Sequence, residues 1–262
     1  MIRLDHVSFQ YGAVRALHEV THEFSKGDFV SIIGRNGSGK TTLARCMAGF
    51  LRPQTGSIDI DGRHVHRMRP RQRVQVIGYV FQNPDHQIFC ETVEEEVLFG
   101  LQNVGVRGEA ARQRTVQILE RLELDTKREL HPFRLARGDR QRLAIASVAV
   151  LQPSVLLVDE PTTGQDPVRA REIMDILRDM NRQNGTTVIV VTHAMELVAE
   201  YTASIVAMSA GRIVLSGSAR EVFHHAAESG KPVISLPPIV KLGMKLQMNP
   251  VPLTVDEFVR AQ

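Results

Sequence analysis

The sequence predicts an α/β fold: a mixed core sheet with parallel strands, preceded by an antiparallel β section. Short apolar runs of strand length recur at 29–33, 77–81, 155–158 and 188–191. Runs of this kind that are separated by helical segments are typical of parallel strands buried on both faces. Residues 1–60 instead alternate between strand and turn patterns, which indicates antiparallel pairing. A helical insert and a small C-terminal extension complete the predicted architecture.

The antiparallel section follows from alternating apolar positions. Val7 and Phe9 lie on one face of a first strand, and Ile58 and Ile60 share a face of a later one. Asp61-Gly62 then supplies a tight turn. Because every second side chain of a strand points to the same side, each of these strands is predicted to bury one face.

The helical insert is predicted at about 88–150. Charged residues are dense there, β-branched runs are few, and Val116, Leu119 and Leu122 recur at helical spacing. This spacing predicts an amphipathic helix with the three side chains on its buried stripe. Residues 1–220, including the insert, are predicted to form one domain.

The C-terminal extension is predicted for residues 221–262. Five of the twelve prolines fall between 232 and 262, and this shift in composition marks a separate segment. Thr254 and Glu257 form a capping-box pattern, which predicts the start of a last short helix. Helical spacing predicts another short helix through Ile239, Leu242, Gly243 and Leu246.

The composition is that of a folded globular protein. Of 262 residues, 43% are hydrophobic and 23% are charged, which excludes disordered and fibrous classes. Lys and Arg number 32 against 29 Asp and Glu, and the resulting net charge of +3 does not indicate a nucleic-acid partner. The apolar runs are much shorter than the ~20 residues of a membrane-spanning helix, so the chain is not expected to cross a bilayer.

A phosphate-binding loop is predicted at 34–41, which reads Gly-Arg-Asn-Gly-Ser-Gly-Lys-Thr. It lies between an apolar run and a helical segment, which is the context that this motif requires. Its glycines allow backbone N–H groups to surround phosphate oxygens, and the start of the next helix adds partial positive charge. Lys40 is predicted to reach the β- and γ-phosphates of a nucleotide, and Thr41 to be a ligand of Mg²⁺.

Two acids, Asp159 and Glu160, end the apolar run 155–158. Ligands of open α/β sheets bind at the carboxyl ends of the strands. Because successive strand side chains point to opposite sides, the two acids are expected to have different roles. Asp159 is predicted to hold Mg²⁺ in its outer shell, and Glu160 to polarise the attacking water.

Polar residues at other predicted strand ends are further candidates for the nucleotide site. Gln82 and His193 each follow a strand-like run, and Asp166 closes the loop after the acids. A single Gln, His or Asp at such a position more often has a structural role. Because all three follow strand ends that surround one predicted nucleotide, a role at the nucleotide site is favoured. Tyr11 has two interpretations: it stacks on adenine, or it is a core residue of its strand.

With this order of motifs, residues 1–220 resemble the nucleotide-binding subunit of ABC transporters. The matching positions are Tyr11, the loop 34–41, Gln82, a signature region at 135–142, Asp159-Glu160, Asp166 and His193. The resemblance implies an ATPase that dimerises head to tail and holds Mg-ATP between the phosphate loop of one subunit and the signature of the other.

The resemblance also implies the residues of the site. It implies catalytic roles for Glu160, His193 and Gln82, and Mg²⁺ binding by Thr41, Gln82 and Asp159. The implied contacts to ATP come from Tyr11, Gly34, Asn36, Gly37, Ser38, Gly39, Lys40, Thr41, Thr42, Ala136, Arg137, Gly138 and Asp166.

Two distant segments resemble one group of this family, the ATPases of energy-coupling-factor importers. The first comprises 81–89 and 92–97, and the second comprises 236–242 and 253–257. This resemblance implies that a transmembrane coupling subunit docks on the segment after Gln82, and that the extension helps to hold two ATPase subunits together. From the residues themselves, Ile88 and Phe89 fit a groove contact or the local core equally well.

The function implied is ATP hydrolysis that energises uptake of a micronutrient, either a vitamin or a transition-metal ion. The implied partners are a second ATPase subunit, identical or different, a transmembrane coupling subunit and a substrate-binding membrane subunit. The chain would then be peripheral, at the cytoplasmic face of the cell membrane. The alternatives are a conventional ABC importer ATPase with a different C-terminal addition, a soluble non-transport nucleotide switch, and a regulatory module with little turnover.

The signature departs from the family pattern. The family usually has Leu-Ser-Gly-Gly-Gln, whereas this chain has Leu135-Ala136-Arg137-Gly138-Asp139. The Ser hydroxyl and the Gln amide are lost, while Gly138 and the start of a helix are retained. We therefore expect this chain to complete a partner subunit's site less well than usual, with its own phosphate loop and acids intact.

Overall fold

The predicted α/β fold is confirmed by a computed structural model, which describes residues 1–228 and 234–261. Its strands form two sheets, one antiparallel and one mixed. Residues 229–233, with Pro232 among them, and residue 262 belong to the predicted extension but lie outside the described residues.

The described residues contain ten strands and ten α-helices. The strands are β1 (Ile2–Tyr11), β2 (Val14–Phe24), β3 (Phe29–Gly34), β4 (Thr55–Ile60), β5 (Arg63–His64), β6 (Ile77–Val80), β7 (Val155–Asp159), β8 (Thr187–Val191), β9 (Ser204–Ser209) and β10 (Arg212–Ser218). The helices are α1 (Lys40–Met47), α2 (Pro70–Val76), α3 (Val93–Val104), α4 (Gly108–Arg121), α5 (Arg137–Ala149), α6 (Pro167–Asn184), α7 (Met195–Tyr201), α8 (Ala219–Glu228), α9 (Pro238–Lys245) and α10 (Val255–Arg260).

The antiparallel sheet has the strand order β2-β1-β4-β5. Val7, Ile58 and Ile60 are fully buried in it, as their alternation predicts. They pack in one apolar cluster with α1 and with strands of the second sheet. The antiparallel sheet therefore covers one face of the second sheet.

The mixed sheet has the order β10-β9-β3-β8-β7-β6. Neighbouring strands from β9 to β6 are parallel, and only the β9–β10 pair in this sheet is antiparallel. The carboxyl ends of β3, β6, β7 and β8 consequently meet at one edge. The phosphate loop, Gln82, the two acids and His193 follow these four strands.

The helices α3, α4 and α5 occupy the predicted insert and pack on the other face of the mixed sheet. Leu119 and Leu122 are buried as predicted, but the prediction for Val116 is wrong, because this side chain is 38% exposed. The buried stripe of α4 contains Ala111, Thr115 and Ile118. Val116 lies at the solvent edge of that stripe.

The predicted boundary between residues 220 and 221 lies within a helix, α8. In a third apolar cluster, Phe223 of α8 and Val240 of α9 pack with Ile33 of β3 and Ile205 of β9. The extension thus packs directly on strands of the mixed sheet.

The two predicted helices of the extension are confirmed as α9 and α10, with differences in detail. Leu242 and Leu246 are 42% and 54% exposed, because α9 turns Val240 and Gly243 inward instead. Thr254 Oγ1 accepts a hydrogen bond from the Glu257 N–H at 3.2 Å, as a capping box requires. The return bond goes to a neighbour, however: Glu257 Oε2 accepts from the Leu253 N–H at 2.8 Å.

Across residues 1–228 and 234–261, none of the helices has the length and apolar character needed to span a membrane.

Candidate active site

The phosphate loop connects β3 to α1 and depends on glycine at two positions. Gly34 has φ +148°, and a Cβ there would come within 2.3 Å of the Met208 carbonyl oxygen. Gly39 has φ +101°, and a Cβ there would come within 2.8 Å of the Ala16 carbonyl oxygen. Only glycine satisfies both the backbone conformation and the space, so these two residues set the path of the loop.

Lys40 is 6% exposed and lies across the inside of this loop. Its Nζ donates hydrogen bonds to the carbonyl oxygens of Gly34 at 2.8 Å and Arg35 at 3.1 Å. Burial lowers the pKa of Lys40, and the nearby carboxylates of Glu160 and Asp159 act against that shift. Partly desolvated positive charge in a loop of backbone N–H groups is suited to a phosphate.

The Ser38 hydroxyl supports the same assignment. Ser38 is 5% exposed, and its Oγ has no hydrogen-bond partner within the described part of the chain. A buried hydroxyl without a partner is costly unless a ligand supplies one. The residues present therefore fit a nucleotide phosphate.

Asp159, the first residue of the acid pair, contacts the phosphate loop. It is 2% exposed, and its Oδ1 accepts a hydrogen bond from Thr41 Oγ1 at 3.2 Å. Burial raises the pKa of Asp159, while the hydrogen bonds from Tyr79 and Thr41 lower it. A hydroxyl and a carboxylate oxygen are ligands of the type that Mg²⁺ prefers, so this pair fits the predicted magnesium site.

Tyr79 is a site residue that the sequence analysis missed. Its hydroxyl donates to Asp159 Oδ2 at 2.8 Å, in a buried position. The pairing of β6 with β7 places Tyr79 opposite Leu157, which lies on the same strand face as Asp159. The register of β6 against β7 would have identified Tyr79, but it is known only once β6 is known to be the neighbour of β7.

Glu160 is held from two sides just beyond the end of β7. His193 Nδ1 lies 2.9 Å from its Oε1 and 2.8 Å from its Oε2, and Thr163 Oγ1 donates to Oε2 at 3.0 Å. The residue is 7% exposed and has φ +49°, a left-handed conformation that is unfavourable for a residue with a Cβ. These contacts fix the orientation of the carboxylate, and its role in polarising water stays a prediction.

The remaining predicted residues of this edge are exposed or partly exposed. Gln82 follows β6 and is exposed, and Thr42 is partly buried in α1. Asn36 and Gly37 form the exposed tip of the phosphate loop. Tyr11 is 47% exposed, with its ring edge-on to Phe9 at 4.9 Å between centroids, so it is not a core residue. Its role at adenine stays a prediction.

The signature residues lie at the start of α5. Ala136 is the N-cap position and offers no side-chain hydrogen bond there. Arg137 Nη2 donates to the Thr163 carbonyl oxygen at 3.2 Å, and a Cβ on Gly138 would come within 3.3 Å of Gln165 Oε1. The signature therefore contacts the loop that follows Glu160 in the same chain.

Two acids near the signature have structural partners. Asp139, at the position of the usual Gln, forms an ion pair with Lys127 at 2.6 Å. Asp166 caps α6, because its Oδ1 accepts hydrogen bonds from the N–H groups of Val168 at 3.0 Å and Arg169 at 3.1 Å. A contact of Asp166 with nucleotide stays a prediction.

In the segment after Gln82, one of the two apolar residues Ile88 and Phe89 is buried and the other is exposed. Ile88 is 3% exposed and belongs to the core, whereas Phe89 is 63% exposed. The Phe89 ring lies edge-on to the half-exposed Phe99 at 4.8 Å between centroids. Asp85 forms an ion pair with Arg140 of α5 at 2.9 Å. The segment thus presents Phe89 to solvent beside Phe99 of α3, while Asp85 ties it to the signature helix.

Comparison with known proteins gives matches over most of the chain. A profile of the ABC transporter family matches residues 17–163. A putative ABC transporter ATP-binding protein of Methanosarcina acetivorans is 44% identical over 224 residues, which are 86% of this chain and 36% of that protein. This chain spans less than half the length of the Methanosarcina relatives that it matches.

Two further matches cover both chains almost completely. The energy-coupling factor transporter ATP-binding protein EcfA2 of Streptococcus thermophilus is 35% identical over 273 residues, which are 98% of this chain and 97% of that protein. The structure of cbiO1 from Clostridium perfringens, described as part of the ABC transporter complex cbiONQ, is 30% identical with a TM-score of 0.79. That match covers 94% of this chain and 98% of cbiO1.

Proposed function

This chain belongs to the ABC transporter family, and from that premise we propose that it hydrolyses ATP to drive transport by a membrane complex. The observation that carries the proposal is the contact between two motifs that are far apart in sequence. Thr41 Oγ1 lies 3.2 Å from Asp159 Oδ1, so the phosphate loop and the acid pair form one site. Phosphate-loop ATPases combine these same two parts.

The proposed mechanism assigns one task to each group. Lys40 exchanges its carbonyl acceptors for oxygens of the β- and γ-phosphates, and the Ser38 hydroxyl gains a phosphate acceptor. Thr41, Gln82 and Asp159 would hold Mg²⁺, which neutralises phosphate charge when bound. Glu160 polarises the attacking water, while His193 and Thr163 fix the orientation of its carboxylate.

We propose further that the membrane complex is an energy-coupling-factor importer of a micronutrient, a vitamin or a transition-metal ion. The matches to EcfA2 and cbiO1 support this subtype. The partners in this proposal are a second ATPase subunit, held in part by the extension, a transmembrane coupling subunit and a substrate-binding membrane subunit. The chain then works as a peripheral subunit at the cytoplasmic face of the membrane.

The test of the proposed activity is phosphate release from Mg-ATP by the purified chain, measured with and without the membrane subunits that copurify with it. Turnover that requires Mg²⁺ supports the proposal. ATP binding without turnover in the complete complex would favour a regulatory module instead, an alternative that the altered signature suggests.

Tyr79→Phe is expected to raise the Mg²⁺ concentration required for half-maximal hydrolysis by about threefold or more. The change leaves Asp159 Oδ2 buried without its donor, so the carboxylate is less firmly oriented toward the metal. The measurement is a Mg²⁺ titration at fixed ATP. Tyr201→Phe is the matched control, because it removes a hydroxyl that bonds Asp175 at 3.1 Å, outside the site. Equal Mg²⁺ requirements in the two variants would contradict the role of Tyr79.

Phe89→Ala is expected to weaken attachment of the coupling subunit by about tenfold or more, with ATP binding by the isolated chain unchanged. Exposed aromatic residues contribute strongly to protein interfaces, and Phe89 is 63% exposed. Asp85→Ala is expected to act in the same direction, because it breaks the ion pair that ties the segment to Arg140. A pull-down with the coupling subunit measures both.

Val14→Ala on β2 is the control for this experiment, since Val14 is an apolar residue of similar exposure, 69%, on the antiparallel sheet. Undiminished complex formation by a folded Asp85→Ala/Phe89→Ala double variant would contradict docking at this segment.

A further inference from the structure

One residue that distinguishes this signature from the family pattern, Arg137, contacts the loop 161–166, which connects Glu160 to α6. Arg137 stands where the family has glycine, and its guanidinium lies against this loop. Its Nη2 donates to the Thr163 carbonyl oxygen at 3.2 Å, and a Cβ on Gly164 would come within 2.8 Å of Nη1. Gly164 has φ +75°, so the loop turns at the point that the guanidinium covers.

The contact continues through Thr163 to the acid. The Thr163 carbonyl oxygen accepts from Arg137, and the Thr163 hydroxyl donates to Glu160 Oε2 at 3.0 Å. One residue therefore joins the signature to the proposed catalytic carboxylate by two hydrogen bonds. The Thr163 N–H also donates to the Glu160 carbonyl oxygen, at 3.3 Å, which closes the turn locally.

We infer that Arg137 is a positioning residue for Glu160 of its own chain, acting through Thr163. A hydrogen bond from a charged donor restrains the Thr163 carbonyl more strongly than a neutral donor does. With the turn restrained, the Thr163 hydroxyl stays directed at Glu160. The inference rests on the proposed ATPase function for its catalytic consequence, but the restraint itself is independent of nucleotide.

The restraint is tested by hydrogen exchange in the nucleotide-free chain. The N–H groups of Thr163 and Gln165 form hydrogen bonds within the loop, so their exchange rates report its opening. Arg137→Ala is expected to accelerate exchange at these amides several-fold, and Arg137→Lys by less. Arg134→Ala is the matched control, an exposed arginine preceding α5, and is expected to leave the loop unchanged. Equal exchange in Arg137→Ala and the parent chain would overturn the inference.

The catalytic consequence is tested by a double-mutant cycle with Thr163→Val. Each single variant is expected to lower kcat for ATP by about three- to tenfold, with KM changed less than twofold. Because both act through one connection, the double variant is expected to be no slower than Thr163→Val. Thr163→Ser, which keeps the hydroxyl, is expected to restore most of the rate.

Two results would contradict this catalytic part. Losses that multiply in the double variant would show that Arg137 and Thr163 act separately, and a rise in KM with unchanged kcat would place Arg137 at a nucleotide instead. Failure of the proposed ATPase function gives a different result, namely a parent chain without turnover. In that case the exchange measurement still decides whether Arg137 restrains the loop.

Discussion

Glu160→Gln is expected to hydrolyse ATP at least about 100-fold more slowly than the parent chain while binding ATP with comparable affinity. Gln has the shape of Glu and can still interact with His193 and Thr163, but it lacks the charge that polarises water. A 100-fold loss corresponds to about 3 kcal/mol of transition-state stabilisation. Glu and Gln both carry a Cβ, so the left-handed backbone at residue 160 disfavours them alike, and the change is expected to act on chemistry and not on the fold.

This expectation is checked by single-turnover hydrolysis and by ATP titration on the same preparation, with the native partner subunits present. Glu196→Gln serves as the control, because it removes an exposed carboxylate from the neighbouring α7. A near-normal rate for Glu160→Gln would show that another group activates the water. Loss of ATP binding would show that Glu160 contributes mainly to the ground state.

Lys40→Ala is expected to weaken ATP binding at least about tenfold and to lower turnover with it. The Lys40 ammonium contacts the phosphates in the ground state as well as in the transition state, so its loss affects both. Hydrogen bonds to charged groups contribute about 1.5–3 kcal/mol, which is the source of the estimate. The same change removes the two bonds that Lys40 makes to the loop carbonyls.

Direct titration with a fluorescent ATP analogue measures this effect without reference to turnover. Lys26→Ala is the control, since Lys26 is an exposed lysine in the turn between β2 and β3. Unchanged affinity in a folded Lys40→Ala variant would remove the main support for the phosphate-loop assignment.

The parts of the site that lie within one segment could be predicted from the sequence. In the loop 34–41 and in the pair Asp159-Glu160, the functional groups come from consecutive residues. A strand-like apolar run precedes each of them and predicts that they lie at the edge of the sheet. The order of these motifs was sufficient for the family resemblance, which the comparisons confirm.

The contacts that connect different segments could not be predicted in this way. Tyr79 contacts Asp159 because β6 and β7 are neighbours in the sheet. The spacing of residues along the chain does not indicate which strands are neighbours. Arg137 departs from the family pattern in sequence, but its contact with Thr163 depends on how α5 lies against the loop 161–166. Long-range side-chain contacts are properties of packing and not of local pattern.

The wrong prediction that Val116 is buried has the same cause. Val116 has the helical spacing of a buried residue, yet it lies at the edge of its stripe because neighbouring positions face the core. Periodicity predicts that a helix has a buried side but determines the direction of that side only within about one residue.

The third apolar cluster has a consequence for how the protein unfolds. Ile33, the residue before the phosphate loop, packs in it together with Phe223 and Val240 of the extension. Because they share buried surface, we expect the described part of the extension and the strand that carries the loop to unfold as one cooperative unit. Substitutions that disrupt the described part of the extension are therefore expected to lower the stability of the nucleotide-binding edge, even though the proposed chemistry uses none of the described residues of the extension.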